Sequence, residues 1–138
     1  MVLIVDDSQP VLDVSTTILT MSGFEVMTAA DGQEAWRIVE RCPGAIGLVL
    51  TDVTMPKMDG IELSRRIHTY YPELPVVLMS GFTTREVGTH STETTLLLPK
   101  PFTIHTLLQA VREGLERRRR YSQRMYTPPT VQTSPGTP

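Results

Sequence analysis

Five residues with chemistry-bearing side chains stand out by where they fall: Asp6, Asp7, Asp52, Ser80 and Lys100. Each closes or closely follows a short apolar run. If those runs are strands of one sheet, three carboxylates, a hydroxyl and an ammonium meet at one edge, although they are scattered over 95 positions of sequence. Carboxylates crowded together repel and raise one another's pKa. A hard divalent cation relieves that repulsion, and oxygen ligands with some retained water suit Mg2+. A carboxylate is also a nucleophile toward phosphorus, giving an aspartyl phosphate. Phosphoryl transfer asks a protein for positioning and charge neutralisation. A metal, an ammonium and a hydroxyl around the transferred oxygens would supply both.

The elements that must position these groups can be read along the chain. Val2–Val5 is an apolar, β-branched run stopped by two aspartates, the pattern of a buried strand. Ser8 is placed to cap a helix with Pro10 in its first turn. Val11, Val14, Ile18 and Met21 follow at helical spacing, and Gly23 ends that helix. Phe24–Thr28 reads as a second strand. Asp31 caps a second helix with Ala35, Ile38, Val39 and Cys42 on one face, broken by Pro43-Gly44. Ile46–Thr51 is a third strand and delivers Asp52. A loop from Val53 to Asp59 leads into a helix ending near Tyr70, with Leu63, Ile67 and Tyr70 expected inward. Val76–Met79 is a fourth strand. Phe82–Thr94 is rich in Thr with Gly88 in its middle, so a helix there is short or weak. Leu96–Leu98 is a fifth strand. Thr103 caps a final helix with Ile104, Leu107, Leu108, Val111 and Leu115 inward, fraying beyond its arginine run. Residues 1–120 read as one domain. Residues 121–138 read as a Pro/Thr-rich disordered tail or linker.

Strand and helix alternate five times. Apolar strands between helices imply an α/β fold, a doubly wound parallel sheet covered on both faces. In such sheets the site lies beyond the carboxyl ends of the strands, where the five residues fall.

The stretches Val5-Asp6-Asp7-Ser8, Leu50–Gly60 (Leu-Thr-Asp-Val-Thr-Met-Pro-Lys-Met-Asp-Gly), Met79-Ser80-Gly81 and Lys100-Pro101-Phe102, in this order, resemble the CheY-like receiver domains of two-component response regulators. The resemblance covers about residues 2–118. It implies a flavodoxin-like five-stranded sheet of order 2-1-3-4-5. It implies that Asp52 is the phosphoacceptor, that Asp7 binds Mg2+ directly, that Asp6 does so partly through water, and that the Thr54 backbone carbonyl is a further ligand. Lys100 would pair with the phosphoryl group and Ser80 would donate its hydroxyl to it. Pro56 and Gly60 would shape the following loop, and the Lys100–Pro101 bond would be cis. The donor would be a phosphohistidine on a sensor histidine kinase or histidine phosphotransfer protein. Leu74–Thr83 is similar to the C-terminal receivers of hybrid histidine kinases. The implied protein is a signalling domain that assists only its own phosphorylation and dephosphorylation.

The sequence departs from the family at two places. Receivers usually carry Tyr or Phe three residues before the lysine, as part of the switch; here that residue is Leu97, which cannot make the same swing. Pro99, directly before Lys100, removes a backbone donor and pushes Leu98 toward extended geometry. Other functions fit less well. A haloacid-dehalogenase-like hydrolase needs an aspartate two residues after the nucleophile, where this chain has Thr54. A flavodoxin-type phosphate cradle would meet repulsion from Asp6 and Asp7. A receiver-shaped scaffold without phosphorylation would not need the complete set of motif residues.

Charge and composition add limits. The net charge of −2 hides +4 over residues 112–124, where six arginines face Glu113 and Glu116, and −6 elsewhere. The arginine run favours the negative end of a helix, which explains it without nucleic acid. No DNA-binding motif follows the receiver-like region. Cys42 is the only cysteine, so no internal disulfide forms, and nothing around it marks an activated thiol. His68, His90 and His105 lack metal-like spacing and read as surface residues. Trp36 reads as packing or partly exposed on the second helix. The apolar runs are too short to cross a bilayer, and the start lacks a signal-peptide pattern. A cytoplasmic protein, monomeric or weakly dimeric, is expected.

Overall fold

The structure is a computed structural model, and it describes residues 1–81 and 92–126. Five strands form one parallel sheet: β1 (Val2–Val5), β2 (Val26–Ala29), β3 (Leu48–Asp52), β4 (Val76–Ser80) and β5 (Thr95–Pro99), in the order β2-β1-β3-β4-β5. Among the described residues the helices are α1 (Gln9–Met21), α2 (Gly32–Arg41), α3 (Gly60–Tyr70) and α4 (Ile104–Met125). The expected doubly wound α/β fold is thus present. The expected short helix between Phe82 and Thr94, together with His90, falls largely outside the described residues, as does the tail beyond Tyr126.

Alternate side chains of each strand enter opposite layers. Leu3 and Val5 join Val39, Leu63 and Ile67 beneath α2 and α3, whereas Val2 and Ile4 join Leu12, Leu19, Leu107 and Val111 beneath α1 and α4. The central strands β1, β3 and β4 are buried on both faces and are accordingly apolar along most of their length. Register carries β1 and β3 forward together, with Val5 opposite Thr51, so their carboxylates emerge side by side.

Caps set most helix starts. Asp31 accepts the Glu34 N–H at 2.8 Å and Asp59 accepts that of Glu62 at 2.8 Å. Thr103 and Thr106 form a reciprocal capping box. Gly23, at φ +94°, turns the chain out of α1. Ser8 holds the N-cap position of α1, but its side chain does not cap; its N–H instead donates to Asp6 Oδ1 at 2.9 Å. An aspartate two residues earlier closes this turn through the backbone.

Several expected faces shift. In α1 the buried residues are Leu12, Ser15 and Leu19, while Val14 and Met21 are exposed. A helix with apolar residues on two adjoining stripes leaves its rotation to the sheet beneath. Tyr70 and Ile104 are likewise exposed, one at a helix end and the other at a helix start. β3 begins at Leu48 because the carbonyls of Ile46 and Gly47 accept from Arg118 instead of joining a ladder. Those contacts also explain why α4 runs on to Met125, past the expected fraying and past residue 120. Arg117 donates to the Thr95 carbonyl, and Arg118 ties the same stretch to the start of β3.

Pro99 costs no ladder bond. The Lys100 N–H donates to the Ser80 carbonyl at 2.8 Å, so the nitrogen of Pro99 faces away from β4. β5 is an edge strand, the place where a sheet tolerates proline.

Candidate functional site

The carboxyl ends of β1, β3 and β4 and the segment after β5 bring the predicted residues together. Asp6 extends β1 by donating its N–H to the Ala29 carbonyl, and its side chain is buried. Asp7, next along, is exposed. Asp52 is the last residue of β3 and half-buried. One carboxylate oxygen from each of these three lies within 4.8 Å of the other two. Lys100 Nζ stands 3.3 Å from Asp52 Oδ1 and 3.7 Å from Asp6 Oδ2. Ser80 closes β4, and its carbonyl anchors the Lys100 backbone. The Lys100–Pro101 bond is cis. Thr54 is exposed on the loop two residues beyond Asp52. Leu97 is half-buried against the core layer beneath α2 and α3.

The electrostatics are unbalanced. Burial raises the pKa of Asp6 most, and the Asp52 and Asp7 charges raise it further; the Ser8 N–H and the Lys100 ammonium act the other way. Ionised, the four groups sum to −2, the charge one divalent cation cancels. Asp6 Oδ2 is buried and accepts no hydrogen bond among the described residues. Its nearest cation is the Lys100 ammonium at 3.7 Å, and a buried carboxylate oxygen held by one such ion pair and no hydrogen bond has room for a closer cation. The acidic cluster Asp6, Asp7 and Asp52 therefore fits Mg2+, which favours oxygen ligands and keeps part of its water.

The loop after Asp52 is held tightly. A Cβ on Gly60 would lie 2.1 Å from the Asp52 carbonyl oxygen, and the Gly60 N–H donates to Val53 at 2.8 Å. Glycine is required there for close approach. Gly32 passes the Met58 carbonyl in the same way, and its N–H donates to that oxygen at 3.2 Å. Lys57, at φ 66°, turns the loop, and its ammonium reaches Asp31 at 3.7 Å. The start of α2 thus braces the acceptor loop. Sequence reading gave Gly32 no role, because the adjacent Asp31 accounted for the helix start by itself.

The sequence model of the response regulator receiver domain matches residues 2–112. This chain belongs to the response regulator receiver domain family. Receiver relatives include the sensor kinase CckA of Brucella abortus, 33% identical over 118 residues, which take in 84% of this chain and 12% of that protein. The DNA-binding transcriptional regulator NtrC of Azospirillum brasilense is 33% identical over 116 residues, 83% of this chain and 24% of the relative. The chain therefore spans a minor part of the curated relatives it matches. Among solved structures, the receiver domain of the hybrid histidine kinase CckA is 37% identical at a TM-score of 0.68, covering 83% of this chain and 97% of that one. A CheY-like receiver from Methanospirillum hungatei is 29% identical at a TM-score of 0.78, covering 87% and 96%. This receiver is thus a module of two-component signalling, and the receiver's five-strand order agrees with these neighbours. Among the described residues of the receiver, no helix is long and apolar enough to cross a membrane.

Proposed function

We propose that this receiver is the phosphoacceptor of a phosphorelay, with Asp52 as the acceptor. The observation that carries the reading is the 3.3 Å approach of Lys100 Nζ to Asp52 Oδ1, beside the Asp6–Asp7 pair. An oxygen of the Asp52 carboxylate attacks phosphorus. The P–N bond of a phosphohistidine breaks, and its electron pair stays on the imidazole nitrogen. Lys100 neutralises charge that gathers on the transferred oxygens, and the Ser80 hydroxyl donates to one of them afterwards. Asp7, Asp6, Asp52 and the Thr54 carbonyl would hold Mg2+, which when bound offsets the charge of nucleophile and phosphoryl group. The reverse side of the same chemistry is loss of the phosphoryl group to water at phosphorus, which regenerates the carboxylate. The protein is a switch of this kind rather than an enzyme with a separate substrate.

The donor is a sensor histidine kinase or a histidine phosphotransfer protein, and the setting is cytoplasmic. The relation to CckA supports a hybrid-kinase context. No direct nucleic-acid contact and no stable oligomer are assigned: a monomer or weak dimer suffices for the chemistry. Leu97 and Ser80 hold the positions of the switch pair, with Leu97 packed inward in place of an aromatic ring.

The test is intact-protein mass after incubation with acetyl phosphate, with and without Mg2+, beside Asp52→Asn. One added phosphoryl mass that needs both Mg2+ and Asp52 is the expected result. A folded chain that gains no mass would instead be a receiver-shaped scaffold.

A further inference from the structure

Taking Asp6, Asp7, Asp52 and the Thr54 carbonyl as the Mg2+ ligands of the proposed function, on which this rests, we propose that the turn between β2 and α2, residues 29–32, tunes the affinity for that ion. The turn sets the spacing between the Asp6–Asp7 side of the acidic cluster and the acceptor loop, and Asp31 and Lys57 are its positioning residues. It touches both sides. The Ala29 carbonyl accepts the Asp6 N–H at 3.1 Å and so fixes the end of β1. The Gly32 N–H donates to the Met58 carbonyl at 3.2 Å, on the acceptor loop. Between these two contacts, Asp31 Oδ2 lies 3.7 Å from the Lys57 ammonium of the same loop. Contacts so close along one turn move together.

The turn is itself stiff. Asp31 Oδ1 accepts the Glu34 N–H at 2.8 Å, and Glu34 Oε1 accepts the Ala30 N–H at 2.7 Å, a reciprocal closure like that of a capping box. The Glu34 N–H and the Lys57 ammonium, against partial burial, hold the Asp31 carboxyl below the usual carboxylate range. Asp31 is therefore ionised at neutral pH, and its side chain is only 15% exposed.

The loop is held in a shape it would not take alone. Among the described residues Lys57, at φ 66°, is the one non-glycine in the left-handed region. A residue kept there marks a conformation imposed by its surroundings. Glycine would meet the backbone demand more easily, but it could not reach Asp31. Met55 and Met58 are buried on either side of the exposed Pro56, and the Gly60 N–H closes the loop on the Val53 carbonyl at 2.8 Å. Thr54 lies between Asp52 and this pinned stretch, so the position of its carbonyl depends on where the loop is tied. Mg2+ demands short, near-octahedral oxygen contacts and tolerates little displacement of a ligand. Untying Lys57 from Asp31 therefore weakens the ion's hold.

The experiment is a Mg2+ titration of the full chain, followed by backbone amide resonances well below the unfolding midpoint, in wild type, Asp31→Asn, Lys57→Met and the double variant. Asparagine caps a helix as well as aspartate does, and methionine keeps most of the lysine stem, so packing is preserved. If the two charges acted only through their field, Asp31→Asn would weaken binding and Lys57→Met would strengthen it, because one removes a negative charge and the other a positive one. Positioning weakens both, by about two- to fivefold, the scale of one exposed ion pair. The double variant should then bind no more weakly than the weaker single one. Lys57→Arg, which keeps the charge, should bind as wild type does. Shifts of opposite sign in the two single variants, or affinities unchanged in both while wild type binds Mg2+, would overturn the role of the turn and leave the site standing. A wild-type chain that binds no Mg2+ would overturn the reading of the site, and the role of the turn with it.

Discussion

Lys100 Nζ stands 3.3 Å from Asp52 Oδ1, close enough to replace one of the two charges a bound metal would bring. Lys100→Ala would leave Asp6, Asp7 and Asp52 facing one another without a cation in metal-free protein. Mg2+ binding should persist, because the lysine donates nothing to a metal. Incorporation from acetyl phosphate should fall about 100-fold, the usual effect of losing one charge-stabilising donor. Mass spectrometry over time beside a Mg2+ titration separates the two effects. A variant that is modified at the wild-type rate would remove Lys100 from the chemistry.

Asp6 makes metal-free stability fall as pH rises. Burial raises its folded-state pKa above the unfolded value. Below the unfolded pKa both states are protonated and no penalty exists. As pH rises through the folded-state value, the folded form must ionise a buried carboxyl, and stability is lost. At neutral pH Asp6→Asn should therefore stabilise the metal-free chain by about 1–2 kcal/mol, the scale of relieving one functional-site conflict. Near pH 3 the variant and wild type should coincide. Mg2+ at a hundred times its Kd would stabilise wild type by about 2.7 kcal/mol, and the variant clearly less. Urea unfolding at both pH values, with and without Mg2+, gives all four numbers. Equal stability of the two proteins at neutral pH would contradict the burial argument.

The strands and the gathering of polar groups at their ends were legible because the central parallel strands are largely apolar and β1, β3 and β4 each lead into a polar residue at the edge, Asp6, Asp52 and Ser80. Asp6, Asp52, Ser80 and Lys100 could be placed from that rule and the motif order. Helix faces were less legible. Val14 and Met21 repeat at helical spacing but are exposed, because Leu12, Ser15 and Leu19 form a rival stripe that the sheet selects. A serine on the buried stripe hid it. The braces were not legible at all. Gly32 against Met58, and Arg118 on the Ile46 and Gly47 carbonyls, are contacts between segments far apart in the chain, and no local pattern marks them.

Gly60→Ala should damage fold and chemistry together. The added Cβ would meet the Asp52 carbonyl oxygen at 2.1 Å, and its neighbour there is backbone that cannot rotate aside. Forcing such a contact costs about 2–3 kcal/mol. The displacement falls on Asp52 itself, so the modification rate should drop even where the variant is fully folded. Unfolding midpoint and acetyl phosphate labelling, measured on the same sample below the transition, distinguish this from simple destabilisation. Normal labelling in a destabilised variant would confine Gly60 to packing.

Leu97 should behave as a packing residue toward the acceptor chemistry. It is half-buried against the core layer beneath α2 and α3, and its backbone nitrogen, like that of Pro99, faces the open edge of β5. Leu97→Ala removes part of that packing, at a cost of about 1–2 kcal/mol, less than for a fully buried leucine. Asp52 and Lys100 are positioned by β3 and by the Ser80–Lys100 backbone bond, neither of which uses the Leu97 side chain. Acetyl phosphate labelling of Leu97→Ala should thus stay within about twofold of wild type, a difference of roughly 0.4 kcal/mol in barrier. Leu97→Met, which keeps the volume, should restore stability and leave labelling where it was. A labelling rate that tracks the side chain at 97 through both variants would show that this position couples to the acceptor despite lacking a ring.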